Sequence, residues 1–187
     1  MRPAQSGAEF VPLLELVQAR PPQALLEIGT LRGGTFLMLA QSSTSDACVA
    51  TLDLQQQDPD LLRSFGRRGQ TVEPIEGNSR DPEIRARVEE LFPTGVDVLF
   101  IDGNHSLEGV SADYENFSGL VRPAGMIVFH DIVEDREQGR SGGVPQFWRE
   151  SKATKWVGWE THEFVRSWQQ RGLGIGVAMK PAADSRS

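Results

Sequence analysis

The sequence predicts a doubly wound α/β fold around a mostly parallel sheet. Short apolar runs without polar alternation recur along the chain, and helical patterns lie between them. Strands that lack a polar face need cover on both sides, and helices that connect parallel strands provide that cover. At 187 residues, the chain suits a single domain, 1–187, with a core at about 21–180 and a polar tail at 181–187.

The first half of the chain supplies three strands and three helices. The first apolar run closes on Gly29, and the residues after Gly33 suit a helix. Asp81 can cap a later helix, and Pro82 fits its first turn. Strands are predicted at 24–28, 49–53 and 71–76, helices at 34–41, 58–65 and 81–93, and an amphipathic stretch at 10–17 before the first strand.

The second half continues the alternation. Val96–Ile101 is the clearest strand, and the amphipathic helix after it, 106–120, ends around Arg122 and Pro123. A further strand at 126–129, a helix at 144–151 and a strand at 174–179 complete the prediction.

Composition and charge exclude several classes of protein. Hydrophobic residues make up 39% and charged residues 24%, which excludes collagen-like, coiled-coil and wholly disordered chains. The formal charge of -7 disfavours a nucleic-acid partner. No apolar run approaches the ~20 residues of a membrane span, so we expect no membrane partner and a cytoplasmic location. The single cysteine, Cys48, is expected to be an inert thiol in a buried strand.

A glycine turn follows the first strand. Glu27-Ile-Gly-Thr-Leu-Arg-Gly-Gly34 has the spacing G-x-x-x-G-G, which departs from the dinucleotide fingerprint G-x-G-x-x-G. Such a turn allows a ligand to approach the backbone closely, and a plain tight turn is the alternative. Asp53 ends the second strand, where an acid can accept hydrogen bonds from a ribose, although it can also be a helix cap or a surface acid. Together the two features predict a nucleoside-containing ligand.

Polar side chains also end the fourth and fifth strands. Asp102 and His105 follow one strand, and His130 and Asp131 close the next. Carboxylates favour Mg or Mn and histidine also admits Zn or Fe, so Asp102, Asp131 and His130 are candidate metal ligands. His105 is a candidate general base. A helix cap at Asp102 or His105 and a packed histidine at His130 are the alternatives, and His162 is interpreted as incidental.

These motifs resemble a known family. ExGxxxGG, the acid at Asp53, Gly77-Asn-Ser79, FIDGNHSLEGVSADYENF, RPAGMIVFHDI and GVPQFW are similar to class I S-adenosylmethionine-dependent methyltransferases. More narrowly, they resemble small-molecule O-methyltransferases related to cephalosporin-biosynthesis and macrolide-sugar enzymes. The resemblance covers about 25–179 and implies a seven-stranded, Rossmann-like sheet with one antiparallel strand in a last pair at 160–166 and 174–179.

The resemblance also implies roles for individual residues. The methionine part of the cofactor would lie at the glycine turn and its ribose at Asp53, with the adenine bordered by the segment after strand three. Asp102 would face the methionine end and a metal, and His105 matches the position of the base. Relatives often carry Glu where this chain has His130, which bears on metal dependence. The implied cofactor residues are Glu27, Gly29, Gly33, Asp53, Gly77, Asn78, Ser79 and Asp102.

The sequence thus predicts an S-adenosylmethionine-dependent O-methyltransferase that acts on a hydroxyl of a small molecule, a sugar or a specialised metabolite, with Mg or Mn assistance. A non-catalytic, cofactor-binding regulatory domain is the alternative from another class, and a nicotinamide-dependent dehydrogenase is the weaker enzyme alternative. The site would be closed by a second subunit of a homo-oligomer or by the charged, Gly-rich segment Val133–Gly143, which is interpreted as either a flap or a solvated loop.

Overall fold

A computed structural model describes residues 6–183, so the last four residues of the predicted tail lie outside the described part. The elements follow the predicted alternation, with a 3₁₀ turn at Ser118–Leu120 after the fifth helix. In chain order they are α1 Gly7–Ala19, β1 Ala24–Ile28, α2 Gly34–Ser42, β2 Cys48–Asp53, α3 Pro59–Arg63, β3 Thr71–Glu76, α4 Pro82–Leu91, β4 Val96–Ile101, α5 Leu107–Phe117, β5 Val121–His130, α6 Val144–Thr154, β6 Glu160–Phe164 and β7 Ile175–Met179.

The seven strands form one sheet in the order β3-β2-β1-β4-β5-β7-β6. Strands β1 to β5 pair in parallel, and β7 is antiparallel to both of its neighbours. This confirms the predicted fold, including the single antiparallel strand in the last pair. The parallel order places the carboxyl ends of β1, β2, β3 and β4 side by side at one edge.

Apolar side chains cover the sheet on both faces. One core lies under α4, α5 and α6, and includes Phe117, Phe129 and Trp148. The other lies under α1, α2 and α3, and includes Leu13, Phe36 and Leu62. No helix within residues 6–183 has the length and apolar character that crossing a membrane requires.

The hairpin of β6 and β7 is held to the first helix. The buried Glu9 carboxylate accepts hydrogen bonds from the Gln170 side chain and from the Gly174 backbone N–H, the latter at 3.2 Å. The loop between the two strands is therefore fixed at its β7 end.

Strand β5 begins earlier than predicted. Pro123 favours a break, yet Val121 already pairs with Val96, and the ladder shifts register before Val98. Ala124 takes a left-handed conformation with φ 62°, which lets the chain bend at the proline and continue as a strand. Helix α5 accordingly ends at Phe117 instead of near residue 120.

The position of Cys48 differs from the one expected. Cys48 was expected in a buried strand, but it is the first residue of β2 and is half-buried. Burial and the nearby Glu73 raise the pKa of its thiol. Two aromatic side chains outside this strand, Trp148 and Trp156, pack in the core against Phe129.

Candidate active site

A cleft of about 430 Å³ lies at the carboxyl ends of β1 to β4. Its walls come from the turns that follow these strands and from helix α5. The lining residues are Ile28, Gly29, Leu31, Leu52, Asp53, Leu54, Gly77, Asn78, Ser79, Arg80, Asp102, Gly103, Asn104, Gly109 and Asp113.

The turn after β1 requires glycine at position 29. Gly29 has φ +93°, and a Cβ atom there would lie 2.1 Å from the backbone oxygen of Asp102. Its N–H donates to the carbonyl of Leu52 at 2.8 Å. The turn is therefore pressed against the ends of both β2 and β4, and its backbone forms the floor of the cleft.

Asp53 folds the glycine turn back onto β2. Its Oδ2 atom accepts hydrogen bonds from the N–H groups of Thr30 at 2.8 Å and Leu31 at 3.2 Å. Its Oδ1 atom accepts one longer bond, from the Gln55 N–H at 3.3 Å. Each carboxylate oxygen has two acceptor sites, so Oδ1 keeps capacity for a ligand hydroxyl.

Glu27 lies behind the glycine turn and is fully buried. Its Oε2 accepts a hydrogen bond from the Thr51 hydroxyl at 2.6 Å, and Thr51 in turn pairs with Thr30 at 2.6 Å. The Oε1 atom has no hydrogen-bond partner within the described residues. Burial raises the pKa of Glu27 well above its ordinary value.

We expect Glu27 to make stability depend on pH. Because the folded protein keeps this proton at pH values where the unfolded chain releases it, the free energy of unfolding falls as pH rises above the ordinary value of 4.5. Glu27→Gln removes the titrating group. As pH rises from 4 to 8, the free energy of unfolding of this variant should therefore increase by about 1 kcal/mol or more relative to that of the wild type, the scale of a buried polar group left unsatisfied. Urea unfolding at each pH measures this.

The exposed Glu90 on α4 offers a matched control. Glu90→Gln should leave the pH dependence of unfolding as it is in the wild type. Equal slopes for Glu27→Gln and the wild type would show that Glu27 is ionised in the folded protein.

Two histidines and two aspartates meet at the ends of β4 and β5. The Nδ1 atom of His130 lies 3.1 Å from Asp102 Oδ1 and 3.5 Å from Asp131 Oδ2. His105 Nε2 lies 3.3 Å from Asp102 Oδ1, and His105 Nδ1 lies 3.4 Å from Asp131 Oδ2. Asp131 has φ 63°, so the backbone turns directly after β5 and the side chains of residues 130 and 131 both reach the cluster.

These contacts favour the charged forms of His105, His130 and Asp102. Hydrogen bonding to Asp102 raises the pKa of His105 to about 9. Burial opposes the charged form of His130, but the charges of Asp102 and Asp131 and the hydrogen bonds to them together outweigh it and raise the pKa of His130 to about 10. Burial likewise opposes charge on Asp102, yet His130 and His105 lower its pKa to about 2. Without a bound cation, the cluster holds protons on both rings at neutral pH.

Three of these residues can hold a metal ion together. Asp102, His105 and Asp131 each offer one ligand atom, and the atoms all lie within 4.8 Å of one another. Two carboxylate oxygens and one imidazole nitrogen suit a divalent ion of the Mg or Mn type. The structure does not include His130 in this group: its ring is buried beneath the carboxylates, and its Nε2 has no partner within residues 6–183.

The segment 133–143 packs against His105, and we call this segment the flap. His105 Nδ1 donates to the Arg140 carbonyl at 2.8 Å, and the Gly143 N–H donates to the His105 carbonyl at 2.8 Å. Buried Asp135 accepts hydrogen bonds from Arg140 Nε at 3.0 Å and from the Gln138 N–H at 3.1 Å. The flap is thus an anchored loop that fixes the orientation of the His105 ring.

The other side of the cluster is held by the β6–β7 loop. The Leu173 N–H donates to Asp131 Oδ1 at 2.8 Å. Asp131 therefore has one oxygen held by the backbone and one directed toward the histidines.

Most of the predicted cofactor residues lie on the cleft, and two do not. Glu27 is buried behind the turn, and Gly33 begins α2, where a Cβ atom would lie 2.4 Å from a methyl group of Leu62. The glycine requirement at Gly33 therefore comes from its left-handed backbone, φ +73°, and from packing. The predicted residues that line the cleft are Gly29, Asp53, Gly77, Asn78, Ser79 and Asp102.

The sequence analysis missed several lining residues, of which Asp113 is the most informative. Asp113 lies three residues after Val110 and four before Phe117, on the buried face of α5. An acid on the apolar face of an amphipathic helix is a signal that the sequence contained. Leu31 and Leu54, 61% and 71% exposed, also line the cleft although each lies in a polar turn.

Comparison with known proteins identifies a matching family for more than half of the chain. A family described as "Methyltransferase domain" matches residues 26–132. An uncharacterised protein of Acanthamoeba polyphaga mimivirus is 31% identical over 116 residues, 59% of this chain and 52% of that protein. Another, of Sinorhizobium fredii, is 37% identical over 151 residues, 75% of this chain and 16% of that protein. The chain thus spans about half of one curated relative and about a sixth of the other.

Solved structures share the fold. An O-methyltransferase from Bacillus cereus in complex with SAH superposes with a TM-score of 0.69 at 24% identity, covering 95% of this chain and 84% of that one. The O-methyltransferase TomG from Streptomyces achromogenes, in complex with SAM, gives 0.70 at 18% identity, with 91% and 78% coverage. The methyltransferase MycE in complex with Mg and SAH gives 0.64 at 17% identity, with 95% and 50% coverage.

Proposed function

This chain belongs to the methyltransferase-domain family, and on that premise we propose that it is an S-adenosylmethionine-dependent O-methyltransferase acting on a hydroxyl of a small molecule. The observation that carries the proposal is the position of Asp102. Asp102 lines the nucleoside-sized cleft and also belongs to the cluster that can bind a metal and a proton. A donor in the cleft and an acceptor at the cluster would therefore meet at this residue.

The cleft residues bind and orient the donor. The backbone of the Gly29 turn accommodates its methionine part, and Asp53 Oδ1 accepts from its ribose hydroxyls. S-adenosylmethionine supplies a methyl group that is already activated on a sulfonium sulfur. The protein then has to align an acceptor oxygen with that methyl group and remove the proton of the hydroxyl.

His105 is proposed to hold the proton that leaves the acceptor hydroxyl, at Nε2. The Arg140 carbonyl keeps a proton on Nδ1, which directs the Nε2 atom toward Asp102. A divalent ion held by Asp102 and Asp131 would supply Lewis-acid chemistry that lowers the hydroxyl pKa. In this proposal His130 supports the two carboxylates from below.

A second candidate is a cofactor-binding domain without turnover. The carboxylates favour protons on both His105 and His130, and a fully protonated cluster cannot accept a further proton. Binding of the cofactor without transfer to any acceptor would support this candidate. The G-x-x-x-G-G spacing disfavours a nicotinamide-dependent dehydrogenase.

Cofactor binding tests the proposed function directly. S-adenosylhomocysteine should bind with micromolar affinity, and Asp53→Ala should weaken it by about 1 to 3 kcal/mol, since a hydrogen bond to a charged group is lost. Isothermal titration calorimetry against S-adenosylhomocysteine and NAD measures both affinities.

Asp60→Ala is the control, because Asp60 is exposed on α3 and pairs only with Arg63 among the described residues. It should bind S-adenosylhomocysteine like the wild type. Preference for NAD, or equal affinity in Asp53→Ala and the wild type, would contradict the assignment of the cleft.

A further inference from the structure

Glu9 is a buried acid in the first helix that the proposed mechanism does not use. It is 1% exposed. Each of its carboxylate oxygens accepts a hydrogen bond from the β6–β7 loop, residues 165–174. Oε1 accepts from the Gln170 side chain at 2.5 Å, and Oε2 accepts from the Gly174 N–H at 3.2 Å. Burial of a carboxylate is costly unless its oxygens are bonded, and both of these bonds join α1 to this one loop.

The end of the β6–β7 loop has a strained backbone. Three consecutive residues, Gly172, Leu173 and Gly174, have positive φ angles of 70°, 62° and 84°. Glycine adopts this left-handed conformation readily, but leucine does so at a cost that the surrounding structure has to offset. The turn 172–174 therefore keeps its shape only where neighbouring groups hold it.

Two carboxylates hold this turn through adjacent N–H groups. The Leu173 N–H donates to Asp131 Oδ1 at 2.8 Å, and the next N–H, that of Gly174, donates to Glu9 Oε2. Successive N–H groups in turns of this kind form a concave site for anions. Here the anions are two carboxylates of the chain itself. The position of Asp131 consequently depends on the turn that Glu9 binds.

Gln170 joins the start of the turn to Glu9. Its Nε2 atom also donates to the Gly172 carbonyl at 2.9 Å, and its Oε1 atom accepts from the N–H groups of Arg166 and Ser167, both at 3.0 Å. The loop thus folds around the Gln170 amide, and this amide is anchored on Glu9 Oε1.

A cavity of about 380 Å³ lies between the start of α1 and the β6–β7 loop. Most of its lining is polar, including Ser6, Glu9, Arg166 and Gln169. On this side of the loop, the hydrogen bonds of Glu9 and not close apolar packing join the loop to α1.

We propose that Glu9 is a positioning residue for the metal ligand Asp131. Glu9 holds the strained turn, and the turn donates its Leu173 N–H to Asp131 Oδ1. This bond leaves Asp131 Oδ2 directed toward His105 and the other ligand atoms. Groups that orient a metal ligand commonly change metal affinity about 10- to 100-fold when they are mutated. The inference rests on the proposed function, because it assumes that Asp131 binds a divalent ion.

Glu9→Ala should weaken Mn binding about tenfold, measured by electron paramagnetic resonance of free Mn. In the metal-free protein, the same variant should speed hydrogen exchange of the Leu173 amide at least about tenfold, because its bond to Asp131 opens more often. Nuclear magnetic resonance measures this exchange. Glu15→Ala removes an exposed acid of the same helix and should leave both quantities as they are in the wild type.

Two further variants separate positioning from a general loss of stability. Leu13→Ala removes a fully buried side chain of α1 and should make the protein easier to unfold by urea, but the folded variant should keep wild-type Mn affinity. In an Asp131→Ala background, Glu9→Ala should cost no further Mn affinity, because its effect passes through Asp131.

The outcomes separate this inference from the proposed function. Mn affinity of Glu9→Ala within about threefold of the wild type, or equal losses in Glu9→Ala and Leu13→Ala, would overturn the inference. A loss that persists in full in the Asp131→Ala background would also overturn it, since Glu9 would then act by another route. Failure of the wild type to bind Mn would contradict the metal assistance in the proposed function. Exchange of the Leu173 amide needs no metal and would then decide whether Glu9 holds Asp131 in place.

Discussion

Replacement of His105 by alanine is expected to lower turnover about 10²- to 10⁴-fold on a hydroxylated acceptor, the range for loss of a general base. His105 Nε2 lies beside Asp102, at the cluster where the acceptor hydroxyl is proposed to bind. The affinity for S-adenosylhomocysteine should change little, because His105 does not line the cleft. Steady-state kinetics and calorimetry on the same preparations measure the two quantities.

His162 provides the control histidine. It lies on the edge strand β6, 3.1 Å from Glu160, and His162→Ala should keep wild-type turnover. Turnover of His105→Ala within a few fold of the wild type would show that another group removes the proton and that His105 serves only to hold the flap.

The pH profile of the residual activity of the metal-free protein gives a second measure of the same residue. A base must be neutral to accept a proton, and the pKa of His105 is about 9, chiefly because of its hydrogen bond to Asp102. Below that pH, kcat/KM should therefore rise about tenfold per pH unit. A cation on Asp102 and Asp131 would offset the negative charge that raises this pKa, so added Mg or Mn should move the rising limb to lower pH.

Removal of divalent metal is expected to abolish most of the activity, and Mg or Mn should restore it. Asp131 presents its Oδ2 atom to the cluster, whereas the buried His130 ring does not belong to the group of ligand atoms. Asp131→Asn should therefore weaken Mn binding at least about tenfold, and more than His130→Asn does. Electron paramagnetic resonance of free Mn measures this binding without relying on turnover.

Full activity in excess chelator, with no ion found by elemental analysis, would give the two aspartates a different role. They would then act only through their charge and hydrogen bonds on His105, His130 and the bound substrates. Equal Mn affinity in Asp131→Asn and the wild type would likewise remove Asp131 from the ligand set.

The sequence predicted the sheet well because its strands are buried on both faces. Runs such as Val96–Ile101 must be strands covered by helices, and a parallel sheet brings their polar ends, Asp53 and Asp102, to one edge. The sequence could not predict which distant side chains pack against a given residue. A glycine looks the same whether a ligand or a side chain such as Leu62 occupies the space beside it, as at Gly33.

Charge states were also outside the reach of the sequence. His105 was chosen as a base with an ordinary pKa, but its two ring nitrogens face Asp102, Asp131 and the Arg140 carbonyl, whose oxygens all accept hydrogen bonds. These contacts come from three separate segments. Only the folded arrangement shows which contacts raise the pKa of this ring.

The pairing of β5 with the later strand β7 makes the order of synthesis on the ribosome important. Strand β5 pairs with β7, which begins 45 residues after His130 (175 − 130), an interval of roughly 2 to 9 s at typical elongation rates. Until then one side of β5 is an unpaired edge, which can pair with other chains, and Asp131 lacks its bond from Leu173. A nascent chain is therefore most prone to aggregation just before the hairpin 160–179 emerges, and the same hairpin that protects it completes the site.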